Sequence, residues 1–156
     1  LHAHPAAREM ASRQQLEAEY RQLSTRSDTA VALRALSARV CARAAARAQD
    51  GEAVLLCAQT ALAAGELMQA ASVAQRAIRL RPARPRAWLL LALADPARAQ
   101  PALRGLGDTL QHARLDPETR RRWAAALDRA AGQHPAWQTL AEYREVQRLL
   151  DASALL

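Results

Sequence analysis

At 156 residues and 51% hydrophobic content, the chain is long enough to bury one continuous core and short enough to be read as a single domain over 1–156. Alanine, leucine and arginine dominate, Lys, Asn and Phe are absent, Ile occurs only at Ile78 and β-branched residues are few. That composition excludes a strand-rich fold and sets the class as all-α. The formal net charge of +7 invites an anionic partner, yet the missing residue types are those with AT-rich codons. A GC-rich genome accounts for arginine in place of lysine, though not for the excess of basic over acidic residues.

No apolar run approaches the roughly 18–20 residues that cross a bilayer, the best being Ala87 to Ala94, so no membrane span is expected. The chain starts at Leu1 in a polar stretch holding His2 and His4, and is read as a processed or excised piece of something longer.

Helix punctuation divides the sequence into about eight segments joined by short connections, which pair neighbours antiparallel. The first runs from about Ala7 to Leu23, and the second from Asp28, as N-cap, to Ala48, where Asp50-Gly51 breaks it. The third covers Glu52 to Ala63, and Gly65 supplies the turn into a fourth from Glu66 to Leu80. Pro82 and Pro85 close that helix and prepare the next, which carries Trp88, Leu91 and Ala92. From Asp95 to Asp108 a short or irregular helix is expected, because Pro96 and Pro101 compete for first-turn positions and Gly105 and Gly107 weaken a helix interior. Asp116-Pro117-Glu118 then starts a helix that stops at Gly132, and Pro135 opens the last one, with Trp137, Leu140 and Tyr143.

Leu67, Ala70, Ala71, Ala74, Ala77 and Ile78 form one alanine-rich stripe at three- and four-residue spacings. Such narrow seams are buried by stacking hairpins, since no one of these helices would hold in water alone. Cys41 and Cys57 each lie in an alanine-rich helix and read as two small core side chains. A disulfide between them requires an oxidising compartment and Cα atoms within about 7 Å.

Val54, Cys57 and Ala58 recur 34 residues later as Trp88, Leu91 and Ala92. Within the first of these units Ala58, Gly65, Ala70, Ala74, Ala77 and Pro82 supply small residues at a helix crossing, a turn glycine and a closing proline. This pattern resembles the tetratricopeptide repeat, most specifically at Ala70, Ala77 and Pro82 followed by Trp88. A second Trp-x-x-Leu-Ala block, Trp137 to Ala141, follows His134-Pro135 as Trp88 follows Arg81-Pro82. Good resemblance spans Gly51 to Ala94. Ala61 and Ala74 stand where the family usually has aromatics, and the outer hairpins read as divergent repeats, capping helices or another α-solenoid type. Trp88, Trp123 and Trp137 are expected to fill gaps in the core.

The resemblance implies a stack of antiparallel hairpins, a solenoid of about eight helices, whose first helices line a groove for a segment of a partner. Here that face would carry Leu55, Gln59 and Leu62, then Arg86, Leu89 and Leu93, with Leu56, Leu90 beside them. The family's clamp for a terminal carboxylate uses Lys and Asn, which this chain lacks, so the expected occupant is a hydrophobic segment of another protein or of the parent chain. Modules of this kind in GC-rich bacteria serve as adaptors in secretion, envelope or exopolymer assembly. The competing reading is a basic module for nucleic acid or another anionic polymer, with Arg120, Arg121 and Arg122 as the anion contact. Cations on the first turns of a helix oppose its dipole, and aromatics for base stacking are only 3% of the chain, which weighs against it. His2, His4, His112 and His134 are scattered and no phosphate loop or nucleophile motif occurs, so neither catalysis nor a metal or cofactor is expected.

Overall fold

The computed structural model describes residues 5–24 and 29–152, and among them every regular element is helical. Eight α-helices follow in order: α1 (Pro5–Ser24), α2 (Ala30–Ala46), α3 (Gly51–Ala63), α4 (Leu67–Leu80), α5 (Pro85–Ala94), α6 (Ala99–Leu110), α7 (Pro117–Gln133) and α8 (Ala141–Ala152). Short 3-10 turns at Pro96–Arg98 and Pro135–Thr139 precede α6 and α8. The chain is all-α and its helices pack in neighbouring pairs, α2 on α3, α5 on α6 and α7 on α8. They gather into two compact units, one ending at Val73 and the other beginning at Ala74, so the division falls within α4.

Local chemistry fixes most helix ends. The Asp50 carboxylate accepts from the backbone N–H of Glu52 at 3.1 Å and of Ala53 at 3.2 Å, satisfying two donors that open α3. At its other end Gly65 takes φ +80, the Gly65 N–H donates to Leu62 C=O at 3.0 Å and the Glu66 N–H to Ala61 C=O at 2.9 Å. That pair of bonds is a Schellman closure, which needs a left-handed residue and so favours glycine. Asp116 caps α7 by accepting from the Thr119 N–H and hydroxyl, both at 2.8 Å, with Pro117 at the first helical position. The N–H, then the hydroxyl of Thr119, hold the Asp116 carboxyl below the usual carboxylate range, and the Arg122 guanidinium adds to the effect.

Three boundaries differ from the sequence expectation. Helix α2 begins at Ala30 after Thr29, whose hydroxyl donates to Leu23 C=O at 3.1 Å; the expected cap, Asp28, lies outside the described residues. Helix α6 is a regular 12-residue helix where an irregular one was expected. Its glycines serve contacts with other helices: Trp88 lies on Gly105, and a Cβ at Gly107 would meet Val146 at 3.8 Å. Pro135 opens a 3-10 turn, not the last helix, because Leu140 is extended (φ -81, ψ 124) and breaks the hydrogen-bond ladder before Ala141. Trp137 therefore sits in a turn while Trp88 sits inside α5, and the two Trp-x-x-Leu-Ala blocks adopt different backbones.

In the unit ending at Val73, Leu33, Leu36, Val40 and Ala44 of α2 share one face at helical spacing and are buried, as are Val54, Leu55, Cys57, Ala58 and Ala61 of α3. The buried Thr60 hydroxyl is satisfied within α3 by Leu56 C=O at 3.0 Å and Cys57 C=O at 3.1 Å. Cys41 and Cys57, read from the sequence as two small core side chains with a disulfide left open, are joined in a disulfide, since pairing of α2 with α3 brings their Cα atoms to 4.7 Å. An ion pair of Arg39 with Glu19 ties α2 to α1 on the surface.

In the second unit a continuous core is formed by Leu103 and Leu106 of α6, Trp123 and Leu127 of α7, Trp137, and Tyr143, Val146 and Leu150 of α8. Each such large side chain, fully buried, contributes about 1.5–3 kcal/mol by removal from water. Trp137 is placed by its indole N–H, which donates to Pro96 C=O at 2.8 Å, and by the Tyr143 ring 5.7 Å away. The Tyr143 hydroxyl donates to Asp128 at 2.9 Å, joining α8 to α7. Helix α4 buries Ala70, Ala74 and Ala77 completely, the small-residue seam read from its sequence.

Candidate interaction surface

The expected groove residues fall into three environments. Leu55 is 4% exposed and Leu89 is 5% exposed, so both are interior side chains and offer no surface to a partner. For Leu89 the reason is visible: α7 packs on α5, and Leu89 shares a buried cluster with Trp123 and Leu127. The chain thus covers that face of α5 with its own helix. Gln59 and Leu62 on α3 are half-buried, Leu93 on α5 is half-buried against the core cluster, and Arg86 is exposed. Within each unit, then, the accessible remnant is Gln59 with Leu62 on α3, and Arg86 with Leu93 on α5.

Arg120, Arg121 and Arg122 occupy successive positions on α7, which the helix turns by about 100° each, and so do not converge. The Arg120 guanidinium folds back to donate to Leu115 C=O, Arg122 donates to the Thr119 hydroxyl at 3.2 Å, and Arg121 is exposed. Two of the three are committed to the start of their own helix.

A stronger basic feature lies elsewhere. Between Glu66 and Asp95 the sequence has no acid, and Arg76, Arg79, Arg81, Arg84 and Arg86 cluster around the turn from α4 to α5. Arg79, Arg81 and Arg86 are exposed there, and Pro82 and Pro85 fix the backbone between them. The signal is legible in the sequence as charge spacing, but it is spread over eleven residues where Arg120–Arg122 are contiguous.

The second unit also holds an open cleft of about 550 Å3 between two proline-rich turns. Pro96, Gln100 and Pro101 form one wall, and His134, Pro135 and Leu140 the other, with Trp137 also lining it. Gln100 is held by donating to Glu142 at 3.0 Å, a contact that keeps the Glu142 carboxyl below its usual range. The Trp137 bond to Pro96 fastens the two turns together, so the cleft is preformed. Apolar groups line it together with Arg98, Gln100, Gln133 and His134. Nothing in the sequence marked it, because its walls meet only across 41 residues of chain.

Among the described residues no group of three or more His, Cys, Asp or Glu could hold a metal ion, and no helix is long and apolar enough to cross a membrane. Compared with protein-family models, curated proteins and solved structures, the chain matches none significantly.

Proposed function

We propose that this chain is a tetratricopeptide-like helical-repeat module that binds another protein and carries no reaction of its own. The observation that carries the reading is the repeat: α3 and α5 begin 34 residues apart, at Gly51 and Pro85. Ala58 and Ala92 are fully buried at equivalent positions of those helices, α4 between them buries Ala70, Ala74 and Ala77, and Gly65 and Pro82 mark its two ends. Buried small residues at helical spacing are what close helix packing in such repeats requires. Partner contacts are assigned within each unit by itself to the accessible members of the expected set, Gln59 with Leu62 on α3 in the first and Arg86 with Leu93 on α5 in the second, while Leu55 and Leu89 serve the interior. An adaptor role in assembling a larger bacterial complex, of secretion, envelope or exopolymer type, is proposed by analogy with the family that the repeat resembles.

The test is retention of a partner from native lysate at low and moderate salt, comparing the wild type with Leu62→Glu and Leu93→Glu after circular dichroism shows both variants folded. One protein retained at both salts and lost with either variant supports the reading. The acid-free arginine stretch favours a second reading, binding to an anionic polymer. Retention dominated by nucleic acid, vanishing with salt and indifferent to both leucine changes, selects that reading, because phosphate contacts release counterions and weaken steeply with salt.

A further inference from the structure

Cys41 and Cys57 are the chain's two cysteines, and each is the other's partner. Closing that bond removes two protons and two electrons from a pair of thiols, and the chain has no second disulfide to receive them. The acceptor is therefore external, and the chemistry that fits is thiol–disulfide exchange. One cysteine thiolate attacks the disulfide of a donor protein, forming a mixed disulfide and freeing one donor sulfur. The second cysteine, as thiolate, then attacks the sulfur of the first and expels the other donor sulfur. Both electrons end on the donor, which leaves as a dithiol.

The geometry fixes when this happens. A donor disulfide must reach at least one sulfur, yet in the folded chain Cys57 is 1% exposed and Cys41 9%. They sit at the contact of α2 with α3, flanked by the buried residues Ser37, Val40, Ala44 and Ala58. The exchange must precede the seating of α2 on α3. Once seated, the same burial denies access to reducing thiols, so the bond behaves as a permanent clamp and not as a switch. Thiol pools of the cytosol keep unprotected cysteines reduced during folding, whereas oxidising compartments supply disulfide donors. We infer that the chain is a substrate of a thiol–disulfide oxidant while it folds, and that it matures and works in an oxidising compartment, outside the cytosol. This stands independently of the partner it binds.

The test uses the protein from the cells that make it. Cells are quenched in acid, the protein is denatured without reductant, treated with excess iodoacetamide, and its intact mass measured. The expected mass carries no alkylated cysteine, and two alkylated cysteines appear only when reductant is added before alkylation. Two alkylated cysteines in the unreduced sample overturn the inference. A second arm treats the purified oxidised protein with reduced glutathione, with and without urea. Reduction of the folded protein is expected to be at least about ten-fold slower than of the unfolded protein. Equal rates would show the bond open to solvent thiols and overturn its role as a clamp.

Discussion

Alanine in place of a helical glycine ordinarily stabilises, by about 0.8–1 kcal/mol in a helix interior, because the unfolded chain loses freedom and the helix gains a methyl. At Gly105 that gain meets a wall. A Cβ built there lies under 3.0 Å from Cε3, Cδ2 and Cζ3 of Trp88, atoms in the body of a rigid indole. The ring cannot simply swing aside, because its N–H donates to Pro82 C=O at 2.9 Å and Pro82 belongs to a turn set by two prolines. Overpacking of this kind costs about 1–3 kcal/mol, so the expected net effect of Gly105→Ala is a loss of about 1 kcal/mol. For a chain of this size that lowers the melting temperature by about 2–4 °C. Gly132 is the internal control: it is helical with nothing within 4 Å of a built Cβ, so Gly132→Ala should gain up to about 0.5 kcal/mol near its helix end. Thermal and urea unfolding followed by circular dichroism measure both. The sharper assay is a double-mutant cycle, in which Trp88→Leu removes the ring and Gly105→Ala becomes stabilising on that background. If Gly105→Ala raises stability with Trp88 in place, the account of why α6 holds a glycine there is refuted.

Two further outcomes follow from single side chains. Asp50→Ala removes the carboxylate that satisfies two N–H groups of α3 and should cost about 1 kcal/mol, whereas Asp50→Asn, which keeps the acceptor, should cost little; equal losses from both would sink the capping argument. Burial, followed by donation to Asp128, pushes Tyr143 up from 10.0 to about 12. Because the folded value lies above the unfolded one, this stabilisation is complete below pH 10 and is lost as pH rises through about 12. Melting temperatures measured from neutral pH upward should fall more steeply in that window for the wild type than for Tyr143→Phe, while parallel curves would show that Tyr143 ionisation is not coupled to folding.

What the sequence made legible was whatever depends on neighbours along the chain. Asp50, Gly65, Pro85 and the Asp116-Pro117 pair each act on backbone groups within a few residues, and the helices they bound appeared nearly where expected. Gly105 was opaque because its reason lies in another helix, and the break at Leu140 because only the fold shows Trp137 turned toward Pro96. Of the candidate surface, the leucine-rich face of α5 was readable as apolar. Whether Leu89 met a partner or the chain's own α7 was not, since periodicity gives the direction of a side chain and not what covers it. The cysteines posed the same problem, both pairing and separation being consistent with their helices until the Cα distance was known.

Trp88, Trp123 and Trp137 all fall after Ala74, while the disulfide lies wholly before it. The chain therefore carries a separate native reporter for each half: indole emission follows only the C-terminal unit, and the susceptibility of the disulfide to reductant follows only the N-terminal one. Denaturation read through both signals at once measures how far α4, which contributes to each unit, makes the two unfold as one.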